Sequence, residues 1–242
     1  MKILAIDSSG LVATVAILEN GSMLAEYTLN YKKTHSQTLL PMLDEIVRQM
    51  DLDLGSIDAI AVAAGPGSFT GLRIGSATAK GLGLALNKPI IPVPTVDALA
   101  YNLWGTADVV CPMVDARRNQ VYTGIYEFVG EEMNILLSQN AVAIEEVLEQ
   151  LNEMGRPVIF LGDGVPVQEK TIQEKMKVPY RLAPSHMARQ RAGALGALAF
   201  VYYQAGRVEH ARDHKPEYLR LSQAERERME REQNKQKKER KL

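Results

Sequence analysis

A glycine-rich turn between a strand and a helix is a frequent phosphate-binding site, and residues 65–75, GPGSFTGLRIG, have that composition. They follow the apolar run IDAIAVAA and lead into SATAKGLGLALNK. A Walker A loop needs a Gly-Lys pair five residues after its first glycine, and no lysine follows at that distance. The dinucleotide fingerprint needs a third glycine where Thr70 stands. The segment therefore fits neither nucleotide loop.

The helix that follows this turn carries a glycine pattern that a phosphate loop does not need. Gly71, Gly75, Ala79 and Gly83 recur at steps of four, and each interior glycine costs roughly 1 kcal/mol relative to alanine. A smooth ridge of this kind lets another element approach the helix closely. The pattern leaves two interpretations open, a docking surface for a partner or close packing inside the protein.

Two further polar segments could hold an anion. Asp7, Ser8 and Ser9 follow the first apolar run, where a small polar loop could present backbone N–H groups to a phosphate, as a remnant phosphate loop would. An ordinary hairpin turn explains these residues equally well. The Asp-Ala-Arg-Arg run at 115–118 is a polar cluster at a strand end, and anion binding there is a weaker hypothesis.

Metal ligands and nucleophiles give weaker signals. His210 and His214 are four residues apart and could share a helix face, but two imidazoles do not make a zinc site. Cys111 lies in an apolar run, where an inert buried thiol is expected. Local spacing assembles no Ser/His/Asp set. We therefore predict neither a metal nor a cofactor.

Composition excludes several classes of protein. The chain has 242 residues, a net charge of -1 and one cysteine, so it has no general basic footprint for nucleic acid and no disulfide framework. No run reaches the roughly 18–20 apolar residues that a membrane span needs. The N-terminal MKILAIDSSG is too short for a secretory signal and indicates a first strand. We expect a cytoplasmic protein without membrane contact.

The elements that must position these groups form two similar series, each with three strands followed by alternating helices and strands. Alternation and the Glu-Asn-Gly turn favour an antiparallel meander at the start. The first series comprises strands 2–7, 12–18 and 23–29, helix 34–50, strand 57–63, helix 71–86, strand 89–93 and helix 95–104. The second comprises two strands within 107–128, strand 133–137, helix 144–153, strand 157–161, helix 166–176 and helix 185–204.

This order predicts two subdomains and a tail. The boundary between the subdomains is expected near residue 105, which gives segments 1–105 and 106–222. Residues 223–242 are rich in Lys, Arg and Glu and almost free of apolar side chains, so they are expected to form a solvated helix or a disordered tail. A tail that contacts a partner or RNA is the alternative, although its net charge is modest.

Five motifs in order resemble the bacterial TsaB (YeaZ) family. They are ILAIDSS, HSQTLLPMLDEIV, GPGSFTGLRIG, PVPTVDALA and VDARRNQVY, and the resemblance runs over about residues 2–220. It implies an α/β protein of the actin-like/Hsp70-like ATPase (ASKHA) fold. In that fold, two similar subdomains have mixed central sheets flanked by helices.

The resemblance also implies a function in tRNA modification. Members of this family are understood as non-catalytic partners of TsaD, which transfers threonylcarbamoyl to adenosine 37 of ANN-decoding tRNAs. The implied partners are TsaD in a heterodimer and the ATPase TsaE in the larger complex, with tRNA contacted indirectly. A homodimer could form in the absence of TsaD. The alternative is a nucleotide-binding ATPase of the same fold.

Departures from active relatives favour a pseudoenzyme scaffold. TsaD proteins carry a metal-binding H-x-x-x-H pair, and an ungapped match places Thr95 and Leu99 at those positions. Neither residue replaces an imidazole ligand. The counterpart of the second phosphate loop, residues 116–119, has no glycine, so we expect no backbone wrapping around a phosphate and no ATP binding.

The family pairs through helices of its first subdomain, here helices 35–50 and 71–86. The first helix has an apolar stripe of leucines and Ile46, and the second has the glycine ridge. An exposed apolar surface of that kind requires a partner. The residues expected at this interface are His35, Leu39, Leu40, Leu43, Ile46, Val47, Gly71, Leu72, Arg73, Ile74, Gly75, Thr78, Ala79 and Leu82.

Overall fold

The computed structural model describes residues 1–31 and 33–220, which contain two five-stranded sheets. The predicted tail at 223–242 lies outside the described residues. The first sheet contains β1 (Lys2–Asp7), β2 (Ala13–Glu19), β3 (Ser22–Leu29), β4 (Ala59–Gly65) and β5 (Ile90–Pro94). Its order is β3-β2-β1-β4-β5, with β1 antiparallel to β2 and parallel to β4. The apolar strands β1 and β4 lie inside the sheet, buried on both faces.

The second sheet repeats this topology. It contains β6 (Val109–Asp115), β7 (Gln120–Val129), β8 (Glu132–Ala143), β9 (Val158–Leu161) and β10 (Tyr180–Leu182). Its order is β10-β9-β6-β7-β8, with β6 antiparallel to β7 and parallel to β9. The meander followed by parallel strands therefore occurs twice, which confirms the predicted ASKHA fold class. The short strand β10 was not predicted from the sequence.

Helices flank both sheets. In the described residues they are α1 (His35–Gln49), α2 (Phe69–Leu86), α3 (Thr95–Tyr101), α4 (Ile144–Met154), α5 (Gly164–Lys175) and α6 (Ala192–Gln204), with a short 3-10 helix at Leu54–Ser56. Prediction of a helix over 185–204 was wrong at its start, because Arg191 has an extended backbone (φ -137°, ψ 127°) and caps α6. The segment with His210 and His214 forms turns and not a helix, so these two side chains do not share a helix face.

α6 packs against the first sheet, although it follows the second sheet in the chain. Its Leu195 and Ala199 side chains are buried with Ile3 and Ala5 of β1. The segment after α6 also pairs with the first sheet, through a bridge between Glu209 and Ile90. The sequence division at residue 105 therefore separates the two sheets. The expected C-terminal subdomain at 106–222 needs correction, because its last part packs with the first sheet.

α3 makes the reciprocal connection. It precedes residue 105, yet its Val96 and Leu99 side chains join the core of the second sheet with Val110 and Val114 of β6. The two halves of the chain therefore contribute one helix each to the core of the other half. Because each core depends on a helix from the other half, neither half buries its sheet alone.

A buried carboxylate connects these two helices. Asp97 of α3 accepts hydrogen bonds of 2.7 Å from the hydroxyls of Tyr126 in β7 and Tyr202 in α6. Burial raises the pKa of Asp97, and the two hydroxyl donors partly offset this rise. The Arg207 guanidinium lies 3.6 Å above the Tyr202 ring. This cluster joins both sheets at the point where the chain crosses between them.

Replacing Tyr202 with phenylalanine should destabilise the fold through this cluster. The Asp97 carboxylate would keep only one hydroxyl donor, so Y202F should lower the free energy of unfolding by about 1–3 kcal/mol. Y203F is the matched control, since Tyr203 on the same helix is 37% exposed and should change stability by less than about 0.5 kcal/mol. Urea titration of both variants measures this. Equal stability of Y202F and wild type would contradict the assigned role.

Candidate functional site

The glycine motif holds the hairpin between β1 and β2. The Ser68 N–H donates to the Ser9 carbonyl at 2.6 Å, and the Ser8 hydroxyl donates to the Gly71 carbonyl at 2.9 Å. A Cβ atom on Gly67 would lie 2.3 Å from the Ser9 carbonyl oxygen, and one on Gly71 would lie 2.0 Å from that of Ser8. Real Cβ atoms do not approach backbone so closely, so glycine is required at both positions.

The rest of the glycine ridge also faces inward. Gly71, Gly75, Ala79 and Gly83 are all buried. A Cβ on Gly83 would lie 2.8 Å from that of Ala211 in the segment after α6. The interpretation of this ridge as a docking surface is therefore wrong, and close packing inside the protein is the correct one of the two.

The segment after α6, residues 205–220, lies across α2 and is called the C-terminal strap below. The Glu217 N–H donates to the Ala64 carbonyl at 2.6 Å, and a Cβ on Gly65 would lie 2.2 Å from the Glu217 carbonyl oxygen. The Tyr218 ring packs on Phe69 with centroids 4.6 Å apart. The first glycine of the motif therefore makes room for the strap.

Two basic residues of α2 also hold the strap. The Lys80 ammonium donates to the Arg212 and His214 carbonyls at 2.8 and 2.9 Å. The Arg73 Nε donates to the Tyr218 hydroxyl at 3.3 Å. Sequence reasoning missed the strap, because its contacts join residues more than a hundred positions apart.

A serine, a histidine and a glutamate meet where the strap crosses α2. Ser76 Oγ is 2.9 Å from His214 Nε2, and His214 Nδ1 donates to Glu209 Oε1 at 2.6 Å. These contacts have the order of a nucleophile, base and orienting acid. Ser76 and His214 are nevertheless buried between helix and strap, which leaves a substrate no access to Ser76. We therefore interpret this group, called the strap clasp, as a structural contact.

An interdomain cleft of about 560 Å³ lies between the two β-hairpins, the β4–α2 turn and the end of the strap. Its charged lining residues are Asp115, Arg117, Asp163, Glu217 and Arg220. Asp163 Oδ1 accepts the Asp115 N–H at 3.1 Å, and burial raises the pKa of Asp163. The strap thus contributes its last residues to the cleft that separates the two sheets.

The hairpin between β6 and β7 has an uncommon backbone. Arg117, Arg118 and Asn119 have φ values of 65°, 55° and 57°, which lie in the left-handed region. The sequence contains no glycine here, so the left-handed backbone is formed by arginine and asparagine residues. Left-handed backbone costs non-glycine residues roughly 1–2 kcal/mol each, with asparagine more tolerant. The Arg117 N–H donates to Asp115 Oδ1 at 2.8 Å and stabilises the turn.

The hairpin between β1 and β2 contains a buried acid. Asp7 is fully buried, its Oδ1 accepts the Ser9 N–H at 2.8 Å, and burial raises its pKa to about 6. His35 Nε2 donates to the Gly10 carbonyl at 2.8 Å. The Ser9 N–H is bonded to Asp7, and the Ser9 carbonyl accepts from Ser68 of the glycine motif. The Ser9 N–H is therefore not free to bind a phosphate, as the sequence had suggested it could be.

Half of the expected interface residues are inaccessible from outside. Those buried are Leu39, Leu43, Ile46, Gly71, Leu72, Gly75 and Ala79. They pack against the first sheet or the hairpin, so they cannot contact a partner directly. Those that reach the surface at least in part are His35, Leu40, Val47, Arg73, Ile74, Thr78 and Leu82.

α2 presents a second row of residues to solvent, which the sequence analysis did not select. Thr70, Ala77, Gly81 and Leu84 are all exposed and are called the outer stripe. Leu84 is 52% exposed, and a Cβ on Gly81 would meet nothing within 4 Å. The signal that could have identified the stripe is the absence of acidic residues from the whole 18-residue helix.

The two positions that match the metal-binding histidines of TsaD lie inside the protein. Thr95 and Leu99 are both buried, and Leu99 packs in the core of the second sheet. Burial also raises the pKa of the Cys111 thiol to about 12, so it is not a thiolate at neutral pH. Across residues 1–31 and 33–220, no group of three or more His, Cys, Asp or Glu side chains is arranged to hold a metal ion.

Comparison with known proteins identifies similar sequences. The family model described as "TsaD: tRNA N6-adenosine threonylcarbamoyltransferase" matches residues 22–228. A Bacillus subtilis protein named tRNA threonylcarbamoyladenosine biosynthesis protein TsaB is 33% identical over 93% of this chain and 96% of its own length. The Escherichia coli protein of the same name is 36% identical over 68% of this chain and 72% of its own length.

Solved structures show the same fold. A Pseudomonas aeruginosa crystal structure, described as an uncharacterised protein with similarity to peptidase YEAZ, superimposes with a TM-score of 0.78 at 30% identity. The match covers 90% of this chain and 99% of that one. A structure described as YeaZ from the same organism gives a TM-score of 0.75 at 29% identity, with the same coverage. Among the described residues, no helix combines the length and apolarity needed to cross a membrane.

Asp7 should make the stability of the protein depend on pH. Its folded-state pKa of about 6 lies above the ordinary value of 3.8, so the unfolding free energy should fall as pH rises from about 4 to about 7, by up to about 3 kcal/mol. In D7N this decrease should be absent, because the asparagine amide stays neutral and its oxygen still accepts the Ser9 N–H. D213N, at an exposed carboxylate, is the control. A pH-independent difference between D7N and wild type in urea titrations would contradict this prediction.

The strap clasp should stabilise the fold without acting as a nucleophile. S76A leaves the buried His214 ring without its hydroxyl partner and should lower the free energy of unfolding by about 1–2 kcal/mol. S36A, at an exposed serine of α1, should have no effect. A fluorophosphonate probe should not label the wild-type chain. Labelling that disappears in S76A would establish Ser76 as a nucleophile and overturn the structural role.

Proposed function

Because the chain belongs to the TsaB (YeaZ) family and takes part in tRNA threonylcarbamoyladenosine biosynthesis, we propose that it is a non-catalytic partner of TsaD. The model that matches this chain is described as the transferase, while the relative that matches along almost its whole length is TsaB. Both matches are explained if TsaD and TsaB are similar proteins of one fold and only TsaD is catalytic. TsaE is the further partner that we propose for the larger complex, in the bacterial cytoplasm.

The outer surface of α2 is the observation that carries this proposal. A surface helix normally has charged residues on its solvent face, yet α2 has no acidic residue, and the strap engages both of its basic side chains. The outer stripe is consequently uncharged, with three small residues and the exposed Leu84. On neighbouring α1, Leu40 is 53% exposed. We place the TsaD contact on this combined face, and a homodimer in isolation would use the same face.

Gly81 supports a partner on this face. Glycine in a helix interior costs roughly 1 kcal/mol relative to alanine. The glycines of the ridge make room for the protein's own backbone or side chains, but nothing lies within 4 Å of a Cβ on Gly81, which belongs to the outer stripe. A partner helix that approaches α2 closely would explain why this position has no side chain, just as internal contacts explain the glycines of the ridge.

The interior positions of α3 support the absence of catalysis. A metal pair like that of TsaD would need imidazoles at Thr95 and Leu99, and Leu99 is packed among apolar side chains of the second sheet. Asp97 between them is already hydrogen-bonded to two tyrosines. The nucleotide-binding alternative rests on the interdomain cleft. Calorimetry with ATP and magnesium on the isolated chain separates the two, since binding with hydrolysis would favour the alternative.

Leu40 provides a test of the partner face. L40E should abolish co-purification with TsaD from the same organism, with an affinity loss of at least about tenfold, because the carboxylate would be desolvated at the interface. V167E is the control, since Val167 is 61% exposed on α5 of the other sheet. Leu43 is unsuitable despite its predicted role, because it is buried and a glutamate there would unfold the chain. Normal pairing of L40E would move the interface elsewhere.

G81L tests the same face without adding charge. Gly81 is exposed and nothing lies within 4 Å of a Cβ there, so a side chain can extend into solvent, and leucine is the better helix former. G81L should therefore match or exceed wild-type thermal stability while losing TsaD in the co-purification. Retention of TsaD by a stable G81L would show that no partner helix approaches α2 at this point.

A further inference from the structure

The hairpin between β6 and β7 combines a costly backbone with two solvent-exposed arginines. Arg117, Arg118 and Asn119 form three consecutive left-handed residues, although glycine would adopt this backbone without strain. The hairpin is well anchored, since the Ala116 N–H donates to the Gln120 carbonyl at 3.1 Å and the Gln120 N–H donates to the Arg117 carbonyl at 3.2 Å. Backbone strain that the surroundings maintain in this way is concentrated at functional sites.

The conformation places both guanidinium groups in solvent. The Arg117 side chain is 86% exposed and pairs with Asp115 at 3.2 Å, a surface ion pair worth at most about 1 kcal/mol. Arg118 is exposed and makes no hydrogen bond or ion pair with the described residues. The turn therefore presents the unpaired guanidinium of Arg118 to solvent. The guanidinium of Arg117 can leave Asp115 for another anion at little cost in free energy.

A third arginine joins this hairpin from the strap. The Arg220 guanidinium donates to the Ala116 carbonyl at 2.7 Å, so the described chain ends beside the two exposed arginines. Arg220 is far along the sequence from Arg117, and both of these arginines line the same cleft.

From this arrangement we infer that the Arg117–Arg118 hairpin binds the phosphate backbone of the tRNA substrate. The guanidinium fork matches phosphate oxygens in shape and charge, and contacts of this kind position an RNA without reading its sequence. The cleft itself is lined by three carboxylates against the two guanidinium groups of Arg117 and Arg220, a balance that disfavours a polyphosphate nucleotide inside it and leaves the exposed side of the hairpin for the RNA. This inference rests on the proposed function, which supplies tRNA as the substrate.

The variant R117N/R118N tests the hairpin with little risk to the fold. Asparagine tolerates left-handed backbone better than arginine does, so the melting temperature should not fall. In complex with TsaD, the variant should bind an ANN-decoding tRNA transcript roughly tenfold more weakly. The slope of log affinity against log salt should become shallower by about 1–2. K170Q/K175Q removes the same charge from exposed positions on α5 and should leave both quantities unchanged.

The outcomes separate this inference from the proposed function. If wild-type chain fails to pair with TsaD, the proposed function fails. If R117N/R118N pairs normally and keeps wild-type tRNA affinity and salt slope, only the hairpin inference fails. Binding of ATP and of inorganic phosphate is measured in parallel, to distinguish a free phosphate ligand from the RNA backbone. Loss of ATP binding in R117N/R118N with unchanged tRNA affinity would assign the arginines to a free nucleotide and overturn the RNA assignment, whereas restored tRNA binding in R117K/R118K would support it.

Discussion

The close approach of peptide carbonyls to the glycine motif between β4 and α2 is the constraint on which much of this structure depends. The carbonyl oxygens of Ser8, Ser9 and Glu217 occupy the space in which Cβ atoms of Gly71, Gly67 and Gly65 would stand. The motif that resembles a phosphate loop is thus used for internal contacts, and its glycines remove side chains so that a hairpin and a strap can approach. Hydrogen bonds from Ser68 and Ser8 then fix the hairpin at this short distance.

A second constraint joins the two sheets. Because α3 and α6 each complete the core of the other half, the cleft lies between units that share their cores. Asp97 with its two tyrosine donors, and Arg220 with the Ala116 carbonyl, connect the halves at opposite ends. These contacts join the two halves on both sides of the cleft.

The fold was predictable because its signals are local. Strand and helix periods, the Glu-Asn-Gly turn and the repeated element order are all read within short windows. They predicted nine of the ten strands and five of the six α-helices in the described residues. The strap and the clasp were not predictable, because Ser76 and His214 are 138 residues apart and no local pattern connects them. The glycine ridge shows a related limit. Its spacing indicates that another element approaches the helix closely, but it does not show whether that element belongs to the same protein or to a partner.

The two sides of α2 connect the internal contacts to the proposed partner face. Its inner side is fixed by the hairpin, the clasp and the strap, so the outer stripe is held at a defined position relative to the cleft. The strap continues from α2 to Arg220 and the arginine hairpin. A TsaD molecule on the outer stripe and a tRNA on the arginine hairpin would therefore be positioned by one connected set of contacts. In this arrangement the chain contributes fixed geometry to the transferase, and reacting groups of its own are not required.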